Sequence, residues 1–165
     1  MLRKALLTVA VLLLLCGFDL RAQSNQTDLY AFANVYKAIA LNRISNLNFG
    51  SVTVGTNGGT VIIAQDGTRS KTGDVGLVQS NPTAANVTIT AQDWAWVMIS
   101  LPGSTTLSDG GSNTLSMTFD PSISGEQPMG GSGTLTMQIG GTVQIPQSTP
   151  AGIYSGSVEL TVVYN

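Results

Sequence analysis

The feature that most constrains the fold is the final stretch, Ala151–Asn165, which reads AGIYSGSVELTVVYN. Val158, Leu160, Val162 and Tyr164 fall on one parity, and Ser157, Glu159 and Thr161 on the other. A period of two is the mark of a strand with one buried face. Pro150 and Gly152 set a turn before it, so the polypeptide is expected to finish inside its own sheet, with no tail, sorting domain or anchor behind it.

The same pattern recurs upstream between turn residues. Val87 and Ile89 alternate with threonines in Ala85–Ala91, and Trp94–Leu101 follows the turn Gln92-Asp93. Leu115, Met117 and Phe119 alternate up to Asp120-Pro121. Leu135, Met137 and Ile139 do so before Gly140-Gly141, which turns or bulges the chain into Thr142–Ile145. Thr60–Ala64, after the turn signal Asn57-Gly58-Gly59, and Val75–Val78 read as short strands, with a small polar loop carrying Arg69 and Lys71 between them. Ser122–Gly133, rich in glycine and serine, is expected to be the most mobile loop. The prolines all fall at segment ends or in loops, as sheets require. Eight or nine short strands at such spacing predict an all-β, immunoglobulin-like β-sandwich of two antiparallel sheets.

The two ends of the chain behave differently. Arg3 and Lys4 precede the apolar run Ala5–Leu15, and Leu20-Arg21-Ala22 offers a small residue before Gln23. The run is too short to span a bilayer, which takes about 20 residues. Residues 1–22 are therefore expected to be a cleaved signal peptide, making the product exported to periplasm, cell surface or medium. Cys16, the only cysteine, would leave with it, so the mature chain has no disulfide to rely on. Lys37, Arg43, Arg69 and Lys71 then face a larger number of acids, which argues against nucleic acid or an anionic membrane as partner.

Residues 23–34 are expected to form an extended N-terminal arm and 35–165 the sandwich domain. Leu29–Ile44 is ambiguous: Leu29, Phe32, Ala33, Tyr36 and Ala40 fit helical spacing, whereas Leu29, Ala31, Ala33 and Val35, then Ile39 and Leu41, fit alternation. The all-β context favours a strand over Val35–Ile44.

Three segments together carry a resemblance. They are Ala38-Ile39-Ala40-Leu41 running into Leu47-Asn48-Phe49-Gly50-Ser51-Val52; Gly59-Thr60-Val61 with Asp66-Gly67-Thr68-Arg69-Ser70; and Gly152-Ile153-Tyr154-Ser155-Gly156-Ser157 running into Thr161-Val162-Val163-Tyr164-Asn165. In this order they resemble the exported bacterial domain-of-unknown-function family 4402. More distantly, the N-F-G and G-x-Y elements are similar to the spore coat protein U family and to archaic chaperone–usher pilus subunits. That resemblance implies sandwiches that assemble by donating an N-terminal strand to the next subunit.

The residue inventory narrows the chemistry. There is no histidine, which removes Ser-His-Asp triads and most zinc sites. Asp66, Asp74, Asp93, Asp109 and Asp120 all sit beside Gly, Pro or a turn, where an aspartate ordinarily bonds its own backbone, and no D-x-[DN]-x-[DN]-G run is present for calcium. No enzyme, cofactor or metal is expected. The leading expectation is a structural or adhesive surface subunit, pilus-like, whose partner is itself or a related chain. Leu29, Ala31, Ala33 and Val35 are the candidate strand-donor residues. The alternative fate of the arm is to close its own sandwich as an ordinary first strand. The alternative function is a monomeric carbohydrate-binding module. Trp94 and Trp96 are the candidate glycan-stacking residues if their face is exposed, and the loops around Asp66–Gly73 and Ser122–Gly133 are the other candidate site. Val97, Ile99 and Leu101 compete with them for the core, yet a sandwich commonly buries a tryptophan, so at least one is expected inside.

Overall fold

The computed structural model describes residues 25–165; the expected signal peptide and Cys16 lie outside them. Among the described residues ten strands are present: β1 (Ala40–Ser45), β2 (Val52–Ile63), β3 (Arg69–Leu77), β4 (Ala85–Thr90), β5 (Trp96–Ser100), β6 (Ser104–Ser108), β7 (Thr114–Pro121), β8 (Gly125–Pro128), β9 (Thr134–Ile145) and β10 (Thr161–Tyr164). They form a seven-stranded and a three-stranded sheet, all antiparallel, which is the β-sandwich that the alternation predicts.

The larger sheet is built around β9. Its first half pairs with β4, from Thr90↔Thr134 to Ala85↔Ile139. Its second half pairs with β2, from Ile63↔Gly141 to Gly59↔Ile145. Strand β7 takes the opposite edge, from Pro121↔Ile139 to Met117↔Val143. Ile139 meets both β4 and β7, and Gly141 meets both β2 and β7, so β4 and β2 occupy one edge of β9 in succession. The handover is at Gly140, where a Cβ would lie 2.5 Å from the Ile63 carbonyl oxygen; only glycine leaves room for the β2–β3 turn. The outer strands are β1 on β4, β3 on β2 and β6 on β7. The smaller sheet runs β10-β5-β8.

Two apolar clusters hold the layers. Val87, Ile89, Met137 and Ile139 of the large sheet meet Val97 and Ile99 of the small one and Met129, which follows β8. Val61, Val75, Leu115, Val143 and Ile145 form the other cluster, covered by Phe49, Val52, Val54, Leu107 and Tyr154. The second cluster sits on the five strands β3-β2-β9-β7-β6, and no strand of the small sheet contributes to it.

Several local expectations are corrected. The first strand starts at Ala40, not Val35, and residues 25–39 belong to no strand. Asn57-Gly58-Gly59 does not end a strand but lies inside β2. The β2–β3 register jumps there, between Val54↔Val75 and Gly59↔Gly73, and the Asp74 carboxylate accepts from the Asn57 N–H and the Thr56 hydroxyl. The glycines thus serve a bulge, which bends the ribbon without breaking it. Arg69 and Lys71 lie in β3 rather than in a loop. Gly140-Gly141 likewise sits within a continuous β9. The segment 122–133 contains β8, paired with β5, and the fully buried Met129, which fastens rather than frees it. Strand β6 and this β8 raise the number of strands from the expected eight or nine to ten. The terminal strand is shorter than its alternation suggests, because only Thr161–Tyr164 pairs, on β5.

Candidate functional site

Between β1 and the chain leading into β10 lies an open groove of about 1020 Å³. Its floor is the inner face of the large sheet: Val87, Leu115, Met117, Phe119, Ile139 and Val143. Leu41 of β1 and Phe49 form one wall, and Tyr154, Val158 and Leu160 form the other. The floor residues point inward because they occupy the buried parity of their strands. Leu41 pairs with Ile89 and shares its inward face, yet it is 45 % exposed, and Val158 on the other wall is 37 % exposed. They face a gap where a packed layer would cover them.

Both walls offer unused main chain. Among the described residues strand β1 pairs with β4 alone. Within Ala151–Leu160 the only bridge is Ser155 to Ser108 of β6, with both N–H to O distances at 2.8 Å. Among the lining residues Arg43 is the single formal charge, and it stands exposed on β1. Tyr154 donates to the Pro150 carbonyl at 3.0 Å, and burial together with the Asp109 charge raises its pKa, so the wall stays neutral.

The expected donor residues are placed as follows. Leu29 is 95 % and Val35 89 % exposed, Ala31 and Ala33 are exposed too, and none belongs to a strand. The chain becomes fixed at Tyr36, which stacks on Tyr164 at 5.0 Å, and at Lys37, whose ammonium meets Asp93 at 3.3 Å. The Tyr164 hydroxyl donates to the Lys37 carbonyl and accepts from the Gln92 N–H.

The expectation of a core tryptophan is wrong. Trp94 is 76 % and Trp96 52 % exposed, because Val97 and Ile99 take the core on the other parity of β5. Trp94 is not in a strand at all; it sits in the left-handed region at φ 60°. The aspartates serve turns. Asp66 accepts from the Thr68 N–H, and Asp109 accepts from the Gly111 N–H and the Asn113 side chain. The Thr68 backbone hydrogen bond lowers the Asp66 pKa, and the Asn113 side-chain bond does the same for Asp109. Among the described residues no three acidic side chains converge on one point.

Sequence reasoning missed the groove walls. The alternation of Val158 and Leu160 with Ser157 and Glu159 predicts strand there, whereas 156–160 belongs to no strand; Gly152 and Gly156, which flank Tyr154, are the local signal of irregular chain. No curated protein and no solved structure matches the chain. A family model described as a domain of unknown function (DUF4402) matches residues 39–164, which takes in every strand and both walls of the groove. The chain belongs to the DUF4402 family.

Proposed function

We propose that the protein is a non-enzymatic, exported structural or adhesive subunit of the cell surface, pilus-like, which assembles by strand addition. The arm of one copy enters the groove of the next. The observation that carries this reading is the pairing of an open groove, apolar in its floor and partly polar at its rim (Arg43, Asn46 and Asn48 included), with an unpaired arm that carries alternate apolar residues. Seven extended residues, Leu29–Val35, reach about 23 Å. Their backbone would pair with the free edges along β1 and the 156–160 segment, while Leu29, Ala31, Ala33 and Val35 turn onto the floor. An added strand supplies what the walls lack, since main-chain hydrogen bonds give affinity and alternate side chains give register. With no disulfide available among the described residues, burial and pairing are the remaining ways to close the sandwich.

The test is the mass of Gln23–Asn165 in solution across a concentration series, beside a chain starting at Tyr36. The shorter chain retains all ten strands and the Tyr36–Tyr164 stack. Ladders or fibres from the longer chain, with a folded monomer from the shorter, support strand exchange. A monomeric longer chain that unfolds when the arm is removed identifies an internal strand and ends the reading.

A further inference from the structure

We propose that the pole of the domain carrying Trp94 and Trp96 is a carbohydrate-binding platform, with the Trp94 indole stacking on the apolar face of a sugar ring. This does not rest on strand exchange, because neither tryptophan lines the groove.

The first argument is energetic. A left-handed φ costs an L-residue about 1–2 kcal/mol, and for a bulky side chain it is a marked outlier. Glycine would hold the same turn without strain, as Gly130 at φ 62° and Gly133 at φ 61° do beside it. Trp94 recovers little of that cost through burial, being 76 % exposed. Folding therefore gains little from tryptophan here beyond the contact with Gly131, and strain with so small a structural return points to function.

The second argument is geometric. The Trp94 N–H donates to the Gly130 carbonyl at 2.8 Å, and the Ala95 N–H to the Gln92 carbonyl at 3.2 Å, which fixes the backbone on both sides. The ring lies against Gly131, where a Cβ would come within 2.9 Å of the indole. One side of the ring thus rests on backbone and the rest is open, so little side-chain freedom is lost when a ligand stacks. Trp96, half-exposed at the start of β5, stands two residues on.

The third argument is the polar surround. Asp93 accepts from Lys37 at 3.3 Å and from the Gln92 side chain at 2.6 Å, and the Lys37 bond holds its carboxyl below the usual range. Asn165 and Glu126 bond each other beside β5, and the Asn165 N–H donates to the Trp96 carbonyl. A flat apolar face bordered by charged donors and acceptors matches a sugar, which offers C–H groups on its faces and hydroxyls at its rim.

The test uses the full chain and its Trp94→Gly, Trp94→Asn and Trp96→Ala variants. Depletion onto insoluble cellulose, chitin and xylan is measured, with tryptophan emission read during titration by the corresponding soluble oligosaccharides. The parent chain is retained on at least one polysaccharide and its emission shifts blue. Trp94→Gly keeps or raises the melting temperature while retention falls about tenfold or more. The asparagine variant tolerates the same backbone and behaves alike. The proposal is overturned if the parent is retained on none of the three. It is also overturned if Trp94→Gly is retained like the parent, if both Trp94 variants lose several degrees of stability, or if they dissociate oligomers without changing retention.

Discussion

Ala33→Asp separates the two fates of the arm. In the free chain Ala33 is exposed and belongs to no strand, so the substitution should change stability by no more than about 0.5 kcal/mol. Inserted in a groove, its side chain would face a floor of Leu115, Met117, Ile139 and Val143. A carboxylate there sheds its charge by protonation at the lowest cost. From an ordinary pKa near 3.9 that costs about 4 kcal/mol at pH 7. Arg43 is the one charge lining the groove, and as an exposed group it offsets no more than about 1 kcal/mol. About 3 kcal/mol remains, which raises the concentration needed for assembly more than about a hundredfold.

The penalty also has a pH signature. It shrinks by about 1.4 kcal/mol per unit of acidification and is nearly gone at pH 4. Ala33→Lys carries a similar penalty at pH 7 that grows on acidification. Sedimentation velocity of the parent and both variants at pH 7 and pH 4 reads the difference, each variant being compared with the parent at the same pH. Assembly of Ala33→Asp at parental concentrations at pH 7 refutes the reasoning. So does a defect that is equal at both pH values, since that would place residue 33 outside an apolar site.

Met137→Ala empties a fully buried position at the centre of β9 and should cost about 2–5 kcal/mol in denaturant unfolding, with the slope unchanged. Gly140→Ala places a methyl 2.5 Å from the Ile63 carbonyl oxygen, backbone that cannot swing aside, and should lower stability by about 1–3 kcal/mol in the same assay. The lowered pKa of Asp109 means that its contribution is present above the usual aspartate value and is lost as pH falls through the folded value. Asp109→Ala should therefore lower the melting temperature at pH 7, with the gap to the parent narrowing on acidification; a gap that widens contradicts the Asn113 and Gly111 bonds.

What was legible in the sequence was what alternates. Val87, Ile89, Leu115, Met117 and Met137 are all buried as their parity requires. Strands β6 and β8 were illegible because their sequences, STTLS and GEQP, carry one apolar residue and none. They are edge strands held by backbone pairing, which leaves no trace in hydropathy. The tryptophans were misplaced for a physical reason. Two parities of one segment competed for a single inner face, and the β-branched pair Val97 and Ile99 fits a pleated core better than two indoles. The turn signal at Asn57-Gly58-Gly59 was real in its backbone geometry and misread in its consequence, since Asp74 satisfies the groups that a bulge leaves unpaired.

The groove follows from the same bookkeeping of layers. Adjacent strands lie about 4.8 Å apart, so the three strands β10-β5-β8 cover a strip of about 14 Å. They lie over β4 and the first half of β9, where the cluster around Met137 is closed. The other half of the large sheet is five strands wide, about 24 Å, and has no strand layer opposite. Irregular chain does the covering there through Phe49 and Tyr154, together with Val52 and Val54 at the bent end of β2. Irregular chain spends its backbone on local turns and cannot tile a pleated face, so its cover leaves a groove between the two walls, although the floor residues Val87, Leu115, Met117, Ile139 and Val143 are themselves buried. Leu160, which lines the groove and also packs on the Met137 cluster, accordingly keeps the parity of a buried face while remaining only half-buried. One further strand, laid along that groove as the proposed function requires, would add both a ladder to β1 and cover to the layer.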